Sequence, residues 1–255
     1  MSMTGKYIYC FIAENEKKIF CNSTLSSVTS AVYSIPYKGI SAIVSDTNIY
    51  EYDPSRKNVR SHQQIVSRIM ESYTIIPVAF GTVSNNKLET EKYIANNYDN
   101  LVKQLDYFKD KFEVGLRATW NDDFFNEDIE NDDIKALKAI VSGKDENEVL
   151  IDKVQLGKFV EQATLRKKEE YIALIYEPLS KIAVESNTKD DLPIKTVFNA
   201  NFLINKTDSD SFDNMVEKLC KPYDKKLNFS YTGPWPPYNF VNIKLKIESD
   251  NKKRK

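Results

Sequence analysis

One histidine, three cysteines and seven glycines are all that this chain of 255 residues offers to several common chemistries. With His62 alone, multi-histidine metal sites are excluded and any nucleophile-base pairing has a single candidate. His62 shares a helical stripe with Ile65, Val66 and Ile69, where a structural core or capping histidine is expected rather than a catalytic one. The glycines form neither a dinucleotide fingerprint nor a phosphate loop, so neither a nucleotide nor any other cofactor is expected. Cys10, Cys21 and Cys220 are odd in number and far apart, which suits free thiols in a reducing compartment. No stretch approaches the ~18 consecutive apolar residues of a membrane span. Met1–Lys6 leads into a strand-like run without a segment of signal-peptide length, so the expectation is a cytoplasmic protein with no lipid membrane partner.

What is present is ordinary for a globular protein: 41% hydrophobic, 29% charged, with a formal net charge of −1 that exerts no pull on nucleic acid. The length suits two domains of about 100–150 residues each. Between them the stretch 121–133 is acidic and poor in aliphatics, with Asp122, Asp123, Glu127, Asp128, Glu130, Asp132 and Asp133. It superficially suggests calcium ligands, but the glycine that an EF-hand loop needs is missing, and a solvated spacer is the better reading. The expected division is therefore 1–121, 122–248 and a basic, solvated tail over 249–255.

The patterns alternate between strand and helix. Strands are expected over Lys6–Ala13 and Gly39–Asp46, with a short helix over Thr24–Ser34 between them. A helical stripe over Lys57–Tyr73 precedes a strand over Thr74–Val83, which Pro77 confines to a sheet edge or a bulge because proline cannot donate to the ladder. Asn86 with Glu89 three residues on resembles a capping box opening a helix that continues to Phe108, and Phe112–Trp120 closes the first half. The second half starts with a helix over Ile134–Val141 and a turn over Gly143–Glu148. A long helix over Val154–Ile182 follows, kinked or broken near Glu177 by Pro178, then a strand over Thr196–Asn205 and a helix carrying Phe212, Met215, Val216, Leu219 and Cys220. The sum is an α+β protein with a ferredoxin-like first domain and a related α+β second domain containing a long helix.

The most distinctive stretch is the corner Gly233, Pro234, Trp235, Pro236, Pro237, Tyr238, lying between two strand-like alternations. Leu227, Phe229 and Tyr231 alternate with polar residues before it; Val241, Ile243, Leu245 and Ile247 do so after it. Glycine and three prolines make the corner rigid, so Trp235 either packs the end of a sheet or is presented to a partner.

This block resembles the C-terminal signature of the gas vesicle accessory protein F/L family (GvpF/GvpL), closer to its F members. The same pattern is similar along Tyr7–Ile12, in Tyr52, Asp53 and Pro54 with His62 following, and along Ile76–Val83, Glu113–Leu116 and Asn199–Ile204. The resemblance covers nearly the whole chain. It implies the α+β fold and a non-enzymatic role in assembling the gas-filled shell, with the hydrophobic shell structural protein and other accessory proteins as partners. Trp235, Tyr238, Phe240 and the strand edge at Pro77 are then the expected partner-binding residues. The chain would be gas vesicle associated, either leaving as a chaperone or staying as a minor component on the inner face of the shell. The competing readings are a ferredoxin-like nucleic-acid-binding protein and a small-molecule-binding regulatory protein. Tyr7, Tyr9 and Phe11 on one face of the first strand would serve base stacking, but Ile8, Cys10 and Ile12 make the other face apolar too, and no basic-aromatic RNA motif accompanies them.

Overall fold

The computed structural model describes residues 5–142 and 150–242. The expected strand from Val241 to Ile247, the turn over Gly143–Glu148 and the basic tail lie wholly or mostly outside them. The chain is a mixed α+β protein that divides into two units, one taking the sequence up to Glu113 and again from Pro234, the other Val114–Gly233. This differs from the expected division at Asn121.

The first unit holds the strands β1 (Gly5–Ile12), β2 (Ile19–Leu25), β3 (Val28–Tyr37) and β4 (Ile40–Thr47). Then come helix α1 (Arg56–Met70), the short strands β5 (Ile75–Pro77) and β6 (Val83–Ser84), and helices α2 (Lys87–Asn96) and α3 (Tyr98–Tyr107). The sheet runs β2-β3-β4-β1-β5, with β6 also on β1, and the pairings given by register are antiparallel. Every residue of β1 is buried. Helices cover both faces of the strand, and a register shift between Ile8 and Cys10 marks a bulge that breaks the alternation. Tyr7, Tyr9, Cys10 and Ile12 join Ile65, Val66 and Ile69 of α1, while Phe11 stacks on Tyr93 of α2 with ring centroids 5.7 Å apart. The simple odd-even division of β1 into two faces therefore fails, and no aromatic of this strand is left to stack bases.

Thr24–Ser34, expected as a helix, is instead the turn and second arm of the β2-β3 hairpin. Leu25, Val28, Val32 and Ile35 have helix-like spacing, yet Thr24, Val28, Thr29 and Val32 are β-branched and prefer the pleated surface. The two-residue loop needs positive φ at both positions, and Ser26 and Ser27 supply it at 48° and 66° without the usual Asn-Gly signal. Asn58 of α1 holds the loop: its Oδ1 accepts from the Ser26 amide at 2.9 Å and its Nδ2 donates to Ser26 Oγ at 3.2 Å.

Pro77 lies in the edge strand β5, and the chain leaves the sheet before returning as β6. Asn86 caps α2, its Oδ1 accepting from the Glu89 amide at 3.0 Å, while the Glu89 carboxylate reaches back to the Asn85 amide. The expected single helix to Phe108 is divided at Asn97, whose φ of −116° ends α2 and whose Nδ2 donates to the Tyr93 carbonyl at 2.9 Å.

The second unit is built on β7 (Lys111–Trp120), whose first residues belong to the first unit, followed by helices α4 (Asp122–Ile129), α5 (Asp132–Ser142), α6 (Leu150–Tyr171) and α7 (Glu177–Ile182). Strands β8 (Glu185–Thr188) and β9 (Thr196–Asn205), helix α8 (Ser209–Cys220) and strand β10 (Leu227–Trp235) complete it. Strand order is β10-β7-β9-β8, so β9 lies between two strands joined through helices, the split βαβ arrangement of ferredoxin-like folds. That order belongs to the second unit; in the first, four strands precede any helix. Between α6 and α7 the turn Ile172–Tyr176 widens to a π-helix. It stands directly before Pro178, whose ring would clash with a carbonyl one turn back and which has no N–H to give, and the extra residue in the turn relieves both faults.

The acidic stretch 121–133 is folded. Phe125, Ile129 and Ile134 are buried, and the Asp128 side chain is only 1% exposed. Its Oδ2 accepts from Trp120 Nε1 at 3.0 Å and Tyr171 Oη at 2.6 Å, and its Oδ1 from Lys226 Nζ at 2.7 Å. Burial raises the acid's pKa, but the bonds from Lys226, Tyr171 and Trp120 outweigh it and hold the carboxyl below the ordinary carboxylate value.

Candidate functional site

At the end of β10 the backbone of Gly233 takes a φ of 142°, which a side chain would oppose, and the chain then turns through Pro234 to Pro237 into the 3-10 turn Tyr238–Phe240. Gly233, Pro234 and Trp235 are exposed, whereas Pro236 and Pro237 are buried. Trp235 is 37% exposed and Phe240 only 4%. Of the four residues expected to meet a partner, Trp235 alone presents a large open side chain. Pro77 is buried in β5, Phe240 belongs to the core, and Tyr238 points its hydroxyl inward to His62.

His62, on α1, is 2% exposed. Its Nε2 lies 3.1 Å from the Val78 carbonyl, which can only accept, so the proton sits on Nε2. Nε2–H then also faces the Tyr238 hydroxyl oxygen at 3.1 Å, and Nδ1 accepts from the Tyr7 hydroxyl at 2.9 Å. Tyr7 in turn accepts from the Gly81 amide at 3.1 Å. Burial pushes the His62 pKa down to about 4, opposed by the Val78 carbonyl, so the imidazole is neutral with both nitrogens occupied. Burial likewise raises the Tyr7 and Tyr238 hydroxyls far above the ordinary tyrosine value.

Around this pair the rings of Tyr7, Tyr52 and Phe80 meet edge to face, Tyr7 and Tyr52 at 4.9 Å and His62 and Phe80 at 5.9 Å between centroids. Beyond Tyr238, the Asn239 amide donates to the buried Glu113 carboxylate at 3.0 Å and its side-chain Nδ2 donates to the other oxygen. Five of the stretches quoted for the family pattern therefore converge: Tyr7, Tyr52 with His62, Val78 to Gly81, Glu113, and Tyr238 with Asn239. The sixth, Asn199–Ile204, is in β9 of the second unit. Of these residues Glu113 carries no site expectation from the sequence, where it appears only as a carboxylate between Phe112 and Val114 in a strand-like run.

Catalytic geometry is poor. The hydroxyls beside His62, those of Tyr7 and Tyr238, are buried and held protonated, and Cys10 and Cys220 are buried with their thiol pKa values raised by burial. Among the described residues no group of three or more His, Cys, Asp or Glu is placed to hold a metal ion, and no helix is long and apolar enough to cross a membrane. An open cleft of about 590 Å³ in the first unit is lined by Tyr73, Tyr98, Val102 and Leu105 with Asp106 and Lys109 at its polar side.

These features define a two-unit α+β protein whose distinguishing surface is a corner that presents Trp235 and is fastened from behind. The family model described as gas vesicle synthesis protein GvpL/GvpF matches residues 5–242, and the chain belongs to that family. It is 24% identical over 245 residues to gas vesicle protein F of Nostoc sp., covering 94% of this chain and 99% of that one. It is 20% identical over 255 residues to gas vesicle protein L1 of Halobacterium salinarum, covering 93% and 90%. Among solved structures, GvpF from Anabaena sp. PCC7120 superimposes with a TM-score of 0.81 at 22% identity, covering 94% of this chain and 99% of that one. GvpF from Microcystis aeruginosa gives 0.75 at 21%, covering 92% and 98%. The expected family and the α+β class are thus met.

Proposed function

We propose that this chain is a non-enzymatic gas vesicle assembly protein that binds the hydrophobic shell structural protein, and other accessory proteins, during nucleation and growth of the shell. The observation that carries the reading is the exposure of Trp235 on a corner whose far side is immobilised by the Tyr238–His62 and Asn239–Glu113 bonds. An exposed tryptophan on a backbone stiffened by three prolines is a low-cost binding anchor. A shell protein has apolar faces to cover before polymerisation, and uncovered faces of that size aggregate. The neutral, fully bonded His62 agrees with a role without catalysis. Nucleic acid finds no open aromatic on β1, since Tyr7, Tyr9 and Phe11 are buried. The site of action is the growing vesicle in the cytoplasm. Tagged chain purified from vesicle-forming cells should bring down the structural protein; absence of that protein from the eluate contradicts the reading. Washed, intact vesicles then separate the two fates, since a retained inner-face component stays with them and a chaperone does not.

A further inference from the structure

We propose that β10 is a strand-addition edge, where an extended, uncharged segment of the shell structural protein pairs with the main chain; this rests on the partner reading above. β10 ends the second sheet, with β7 as its neighbour among the described residues. Asn228, Ser230, Tyr231 and Thr232 are exposed, and among the described residues no strand lies on the far side of β10. The other sheet ends carry devices that blunt an edge. β2 has a register irregularity between Ile19 and Cys21, β5 is three residues long and ends in Pro77, and β8 is four residues long, opens with Glu185 and runs on into Lys189, Asp190 and Asp191. β10 has no charge, proline or glycine from Leu227 to Thr232; Gly233 and Pro234 come only at its far end.

The chemistry of the occupant follows from charge. In a chain that is 29% charged, no Asp, Glu, Lys or Arg occurs from Leu227 to Asn242. A charged strand would meet no opposite charge on β10 itself, and an acidic one would also face Asp213, whereas an uncharged one exchanges water for a ladder of main-chain bonds. Tyr231, whose hydroxyl donates to Asp213 at 2.6 Å, and Trp235 add half-exposed aromatic surface beside the edge.

Amide hydrogen exchange on the full chain, alone and co-purified with the shell structural protein, tests the inference. Amides within residues 228–232 should exchange at least tenfold more slowly in the complex. Ser230→Lys should lower capture at least tenfold with an unchanged melting temperature, and Ser230→Ala should leave capture intact. If capture persists while these amides exchange as in the free chain and Ser230→Lys is neutral, strand addition is overturned and the partner reading stands. If the wild-type chain captures no shell protein, both fall. Protection of the same amides in the free chain, growing with its concentration, would assign the edge to a second copy and overturn the proposal.

Discussion

Replacing Asp128 by alanine should destabilise the second unit by about 2–6 kcal/mol, chiefly the cost of leaving two buried donors without their acceptor. The size follows from what is stranded. Trp120 Nε1 and the Tyr171 hydroxyl belong to side chains only 2% exposed and lose their acceptor together, at about 1–3 kcal/mol for each unsatisfied group. Lys226 is half-exposed and returns to water, so its ion pair adds only about 0–1 kcal/mol. Asp128→Asn keeps shape and an acceptor and should cost about 1–3 kcal/mol. Because the folded carboxyl has its pKa depressed, its stabilisation is full above the unfolded value of about 3.9 and is lost as pH falls through the folded value. Equilibrium unfolding in urea followed by tryptophan fluorescence suits the test, since Trp120 donates directly to Asp128. A loss below ~1 kcal/mol for Asp128→Ala would refute the reasoning and return the acidic stretch to the status of a solvated spacer.

His62 supplies a second test. Its folded pKa of about 4 lies below the ordinary value, so its contribution is present above about pH 6.5 and is lost as pH falls towards 4, amounting to about 2 kcal/mol between pH 7 and pH 5. His62→Gln should remove that part of the pH dependence, and an unchanged slope would disprove it. Glu113→Ala removes the two carboxylate oxygens to which Asn239 donates, so amides over 238–240 should exchange faster while those of β9 do not. Divalent metal or nucleotide at modest concentration should leave the melting temperature unchanged; an upward shift would reveal a native-state ligand.

Elements with strong, locally consistent patterns were legible in the sequence: the α1 stripe, the cap at Asn86, the edge position of Pro77, β9 and α8 all lie where spacing puts them. The interruption at Pro178 was legible as well, though its form, a π-turn, depends on how the backbone absorbs the missing donor. The β2-β3 hairpin was not, because two serines occupy left-handed positions that only Asn58, distant in sequence, makes tenable. Nor was the bulge in β1, which moves Cys10 and Ile12 to the face of Tyr7. Acidic composition concealed α4, since the burial of Asp128 depends on donors 8, 43 and 98 residues away. At the corner, the sequence marked Trp235, Tyr238 and Phe240 alike, and only the partners His62 and Glu113, far along the chain, turn Tyr238 and Asn239 inward.

The most direct test of the binding account is to replace Trp235 by alanine and measure capture of the shell structural protein alongside thermal stability. The account predicts capture weakened by about 2 kcal/mol or more with the fold intact, as for an interface anchor. Unfolding of the variant by about 3–5 kcal/mol, the cost of emptying a buried aromatic site, would make Trp235 core packing and contradict the account; so would a variant that folds and captures as the wild type does.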